Sequence, residues 1–188
     1  MKHRFMHAFG LIAAGALALG AGPVDADTIA NGPYYATPSW DQTLPGSTRF
    51  IVLSNFVNAA VLDRETGLVW QRSPASVTGI IWAQAVLNCM NSTTGGRQGW
   101  RLPTIHELES LKDETVALPA GHPFTGVSTD FFNPYVYWST TTYPGASNFA
   151  MDTQFLPGST GAGSLDKSMP GGFAWCVRGG LGVDSNPY

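Results

Sequence analysis

Trp100-Arg101-Leu102-Pro103-Thr104-Ile105-His106-Glu107-Leu108 is the stretch on which the fold turns. Thr104 and Glu107 stand three apart, hydroxyl before carboxylate, which is the spacing of a capping box at a helix start. Pro103 keeps Leu102 extended, because its ring crowds the preceding residue out of the helical region. The chain therefore arrives extended, turns at Thr104, and runs as a short helix to about Leu111, with Ile105, Leu108 and Leu111 on one side. Arg101 is in reach of Glu107 or Glu109, and an ion pair with either fixes the approach to the helix.

Upstream, Trp82, Ala85, Val86, Cys89 and Met90 recur at helical spacing and predict a helix over 81–90 with one apolar stripe. Cys89 lies on that stripe and is expected to face the core. Asn91 to Gly99 is a loop. Further back, Ala59–Leu62 and Leu68–Gln71 are short apolar runs around Asp63-Arg64-Glu65-Thr66-Gly67, a turn whose glycine supplies positive φ. This is a hairpin, and Trp70 in its second strand reads as core. Arg49–Phe56 has the β-branched and aromatic content of a strand.

Downstream, Asp113–Tyr135 is a long connection punctuated by proline and glycine. Tyr137–Thr142 and Asn148–Phe155 read as strands, Pro157–Gly172 as a Gly/Ser-rich loop, and Phe173–Arg178 as a last strand carrying Cys176. The order predicts an α+β fold: two short helices beside a small antiparallel sheet, with long loops. The first and last strands are expected to be neighbours.

Composition narrows the class. Of 188 residues, 12% are charged, against about 25% in ordinary soluble domains. Glycine and proline number 22 and 13, which excludes a coiled coil. Ten Phe, 6 Trp and 6 Tyr exclude a charged disordered segment. The net charge is −3, and no Lys/Arg cluster follows the first residues, so nucleic acid is excluded as a partner.

The N-terminus reads as an address. Lys2, His3 and Arg4 precede an apolar run from Ala8 to Ala21, too short for a membrane span. With Val24-Asp25-Ala26 it forms a secretory signal with cleavage after Ala26. Loss of Lys2, Arg4 and Asp25 with this leader moves the net charge from −3 to −4. The expected organisation is a leader over 1–26, an extended arm over 27–48, a domain over 49–180 and a tail over 181–188. The mature protein is expected to be secreted or periplasmic, or held at the cell surface, without a membrane span. In an oxidising compartment, Cys89 and Cys176 pair most simply as a disulfide. It would close most of the domain, for about 4–5 kcal/mol in the chain-entropy view.

Five segments in order carry a family resemblance: Asp63 to Gln71; Trp82, Ala85 and Cys89; Gly99 to Leu108; Tyr137 to Thr140; and Cys176 to Gly179. They resemble the C-terminal domain family of the Legionella collagen-like adhesin, over about Arg49 to Gly180. Trp70, Trp82, Trp100, Arg101, Pro103, Thr104, Glu107 and Trp138 are its structural motif residues here. The resemblance implies a C-type-lectin-like fold, distantly similar to the formylglycine-generating enzyme, with a helix-to-last-strand disulfide at the place of Cys89 and Cys176. It also implies adhesin-type binding of polysaccharide. The collagen-like stalk of the named adhesin is absent, and a domain at −4 is a poor partner for the sulfated glycans that adhesin binds.

No catalytic residue, metal site or cofactor is assigned. Lectin-like calcium motifs are missing: Asn133-Pro134 lacks a preceding acid, and Trp138 is followed by Ser139. His106, Glu107 and Ser110 fall on one short helix, and His122 sits in a turn. Exposed aromatics flanked by polar groups can stack on sugars. On that basis the expected ligand-binding residues are Phe132, Asn133, Tyr135, Tyr143, Asp152 and Lys167, on a surface made by 121–135 and 143–172. Tyr137 and Trp138 are expected in the sheet core. The expected role is a secreted, non-catalytic binding domain for a polysaccharide or an extracellular protein, with homo-oligomerisation left open. The alternatives are a structural subunit of an extracellular assembly and a degenerate formylglycine-generating-type oxidase.

Overall fold

The computed structural model describes residues 44–74, 79–113, 116–129, 136–159 and 161–180. The predicted leader, most of the arm, the tail and the candidates Phe132, Asn133 and Tyr135 lie outside the described residues. Two four-stranded sheets carry the fold. The first has the order β1 (Phe50–Val52), β2 (Ala60–Asp63), β3 (Val69–Gln71) and β8 (Val177–Arg178). The second runs β6 (Gly163–Asp166), β5 (Phe149–Thr153), β4 (Val136–Thr142) and β7 (Gly172–Phe173). Among the described residues three α-helices accompany them: α1 (Gly46–Arg49), α2 (Trp82–Met90) and α3 (Ile105–Glu109). The α+β class, with short helices, antiparallel sheets and one disulfide, matches the sequence reading.

The β2–β3 hairpin forms as expected, with Val61 opposite Trp70. Its turn is built by side chains. The Asp63 carboxylate accepts from the Glu65 N–H at 3.0 Å and the Thr66 hydroxyl at 2.9 Å. Gly67 closes the turn at φ 71°, where a Cβ would be strained.

The capping box also forms. Thr104 Oγ1 accepts from the Glu107 N–H at 3.2 Å, and Glu107 Oε2 accepts from the Thr104 N–H at 2.8 Å. Arg101 chooses Glu107, donating through Nη1 at 2.7 Å and Nη2 at 2.6 Å, a two-pronged charge-assisted pair. Its backbone also exchanges two hydrogen bonds of 2.9 Å with Val177. The motif thus ties α3 to the last strand.

Several expectations are corrected. The run Arg49–Phe56 is a strand only over Phe50–Val52; Arg49 ends α1, and Ser54–Phe56 is a tight 3-10 turn. The small sheet is two sheets, and one pair, β4 with β7, is parallel. Pro157–Gly172 is not all loop, because β6 pairs along β5 from Phe149–Asp166 to Asp152–Gly163. Gly-Ser-Leu-Asp has no β-branched residue, so the neighbouring strand rather than local propensity makes it extended. The last strand is split: Phe173 belongs to the second sheet and Val177 to the first. The first and last strands are not neighbours but opposite edges of their sheet. Met90 leaves the apolar stripe and is 63% exposed.

The segment Ala174–Cys176 between β7 and β8 is the hub. Trp175 is fully buried and packs edge-on against Trp70 at 5.7 Å, Phe124 at 5.1 Å and Phe155 at 5.2 Å. Its indole N–H donates to the Gln71 carbonyl at 2.8 Å. Next to it the Cys89–Cys176 disulfide, with Cα atoms 5.3 Å apart, pins α2 to this crossing. A second cluster forms there from Ala85, Trp100, Leu102, Trp138 and Ala150. Tyr137 and Trp138 are core, as expected, and so is Trp70.

Candidate functional site

The described candidates fall at two ends of the second sheet. Tyr143 and Lys167 are at one end, where β4 turns into β5 and β6 finishes. Asp152 is at the other end, opposite Gly163. Three residue steps separate the Phe149–Asp166 pair from the Asp152–Gly163 pair, roughly 10 Å along the strand.

The hairpin end is internally satisfied. Lys167 Nζ donates to Thr142 Oγ1 at 3.0 Å and to the Ser147 carbonyl at 2.8 Å, and it lies 4.8 Å from the centre of the Trp82 ring. Trp82 in turn donates to the Ser139 carbonyl at 2.8 Å. Asp166 accepts from the Ser168 N–H and hydroxyl and from Asn148 Nδ2, and these bonds lower its pKa. Tyr143 is 41% exposed. This end reads as a surface staple with one exposed aromatic ring.

The Asp152 end differs. Asp152 is only 4% exposed. It faces a cavity of about 210 Å³, also lined by Gln154, Ser159, Gly161, Ser164 and Leu165. No described residue donates a hydrogen bond to its carboxylate. Burial, and then the nearby negative charge of Glu109, push its pKa up to about 7. Lys112, beside the cavity wall, is held by other partners: its Nζ sits 3.4 Å from Glu109 and donates to Thr153 Oγ1 and the Gly161 carbonyl. Gly163 keeps the space open, since a Cβ there would stand 2.8 Å from Asp152 Oδ1.

Gln154, Ser159, Gly161, Gly163 and Ser164 fall within the surface expected over 143–172, but sequence reasoning named none of them singly. Most of them sit in the stretch read as featureless loop. One signal was available: Ala150 and Asp152 share a face of an alternating strand, which puts a carboxylate on the side that carries apolar residues.

The remaining chemistry-bearing residues serve the scaffold. The Ser110 hydroxyl donates to the Glu107 carbonyl and the Glu107 carboxylate holds Arg101, so His106, Glu107 and Ser110 do not line up as a relay. Among the described residues no group of three or more His, Cys, Asp or Glu is placed to hold a metal ion. Among them, too, no helix is long and apolar enough to cross a membrane.

A family model, that of the Lcl C-terminal domain, matches residues 59–178. No curated protein and no solved structure matches the chain.

Proposed function

The chain belongs to the Lcl C-terminal domain family, and from that premise we propose that it is a secreted, non-catalytic binding domain of adhesin type whose ligand is a polysaccharide. The observation that carries this reading is the Asp152 cavity. The Asp152 carboxylate opens on the cavity without a described donor, so a bound hydroxyl or amine can supply the missing hydrogen bond. Gln154 and Ser159 also line the cavity, polar residues of the kind that orient sugar hydroxyls. The candidate aromatic stretch 131–135 runs directly into Val136, another wall of the cavity. Phe132, Asn133 and Tyr135 are therefore close in sequence to the site. The lectin-like architecture implied by the family resemblance accords with this role.

Secretion rests on the leader ending at Ala26 and on the Cys89–Cys176 bridge, since such bridges persist in oxidising compartments. That bridge also leaves no thiol pair for oxidase-type chemistry.

A glycan array with the mature protein, followed by calorimetric titration, tests the reading. Saccharide binding that fails when Asp152 is replaced supports it. No saccharide binding, together with self-association of the purified protein, hands the assignment to an assembly subunit. One observation favours that second reading: Leu87 and Met90, three apart on α2, are 55% and 63% exposed.

A further inference from the structure

We propose that the Asp152 cavity receives a protonated primary amine, the 2-amino group of an unacetylated hexosamine in the polysaccharide ligand. This rests on the saccharide reading above and narrows it to one class of sugar.

The argument is one of charge. Of the described residues lining the cavity, Asp152 alone is ionisable. It is 4% exposed, has no described donor, and has Glu109 rather than a cation as its electrostatic neighbour. The basic groups around the second sheet already have partners: Lys112, beside the cavity wall, with Glu109, Thr153 and Gly161, Arg101 with Glu107, and Lys167 at the opposite end. An ionised carboxylate in such a place is strongly disfavoured until a counter-charge arrives. Burial and Glu109 already hold its pKa near 7, so a bound cation would find a group ready to ionise.

A sugar hydroxyl would satisfy one hydrogen bond and leave the charge. An ammonium satisfies both: it brings the counter-charge, and its three donors can be shared between the Asp152 carboxylate and other oxygens of the lining, which includes Ser159. A calcium ion needs six to eight oxygens, usually with several carboxylates, and this lining offers one. The volume suits a single ring: about 210 Å³, where a cavity of about 150 Å³ holds benzene. Gly163 is the structural condition, because any side chain there would press on the carboxylate.

The test uses the mature protein at pH 7, titrated with glucosamine, N-acetylglucosamine, glucose and Nα-acetyl-lysine, and followed by amide chemical shifts over residues 150–165. Glucosamine is expected to bind at least tenfold tighter than the acetylated and neutral sugars, with shifts at Asp152 and Gly161–Ser164. Asp152→Asn should erase that preference while the melting temperature holds or rises, so a loss of fold cannot mimic the result. Gly163→Ala should weaken glucosamine binding in the same direction. Equal or tighter binding of N-acetylglucosamine or glucose overturns the amine and leaves the saccharide reading intact. Nα-acetyl-lysine binding as tightly as glucosamine overturns the hexosamine and points to a protein ligand. No saccharide binding at all overturns both readings.

Discussion

Asp63 and Asp152 are both aspartates at inward positions of short strands, and the protein treats them in opposite ways. Asp63 is fully buried and over-supplied with donors. Arg49 Nε and Nη2 reach its two oxygens at 2.8 and 2.7 Å, and the Glu65 N–H and Thr66 hydroxyl add one bond to each. The same guanidinium also donates to the Ser110 carbonyl at 2.9 Å, fastening α1 and the hairpin to the end of α3. Asp152 is nearly as buried and has no described donor. The first carboxylate holds the fold, and the second stands in a cavity and weakens it. Removing each should therefore move stability in opposite directions. Asp63→Ala takes two charge-assisted hydrogen bonds from a buried guanidinium and leaves it only the Glu65 carboxylate at 3.2 Å and the Ser110 carbonyl; it is expected to cost about 3–5 kcal/mol, measured by denaturant unfolding with unchanged m-value. A cost below about 1 kcal/mol would mean that water reaches Arg49 and that the contrast is not one of burial.

Asp152→Asn should do the reverse, and only at the right pH. The Asp152 carboxyl is raised from the ordinary 3.8 to about 7 by burial, with Glu109 adding to it. Between those values the folded protein holds a proton that the unfolded chain has released. Stability due to this group is therefore fully present below about pH 4, and it falls as pH rises towards 7. The asparagine variant lacks that fall. It should be more stable than the parent by about 2–4 kcal/mol at pH 8 and nearly equal to it at pH 4. Parallel pH profiles for the two proteins would show that Asp152 is solvated after all.

The same contrast explains what could be read from the sequence. The hairpin, both longer helices and the disulfide were legible because their signals are local. Gly67 ends a turn, Thr104 and Glu107 sit three apart, and the α2 stripe carries Cys89. Asp63 could be placed in the turn for the same reason. What was not legible depends on partners far along the chain. Strand β6 exists because β5 lies beside it, and the last strand divides because Ala174–Cys176 must cross from one sheet to the other. Trp175, the centre of the main core, gave no periodic signal in so short a run. The cavity was hidden for the same reason: Gly163 opposes Asp152 only through the β5–β6 register. Asp152 was chosen for its place near aromatics in sequence, and the structure puts it at the end of the sheet away from Tyr143.

The capping pair offers an intermediate case. Thr104 is 3% exposed and its hydroxyl has one clear task, accepting the Glu107 N–H. Thr104→Ala should cost about 1 kcal/mol, well below Asp63→Ala, because no ion pair is broken. Arg101 still grips Glu107 in this variant. Thermal melts that show a loss as large as that of Asp63→Ala would mean that the cap and the Arg101 pair act as one unit.

Tyr143 is the smallest effect and the sharpest check on the separation of the two ends. Its ring is 41% exposed and lies over Gly145, where a Cβ would come within 2.7 Å of it. The ring belongs to neither core cluster, so Tyr143→Ala should change stability by no more than about 0.5 kcal/mol. Roughly 10 Å of strand also separates this end from Asp152, so glucosamine binding should be unchanged in the variant. A stability loss above 1 kcal/mol would make Tyr143 part of the packing of the β4–β5 turn. Unchanged stability with weakened sugar binding would instead join the two ends into one extended groove, with the exposed ring stacking on a second sugar while Asp152 holds the first.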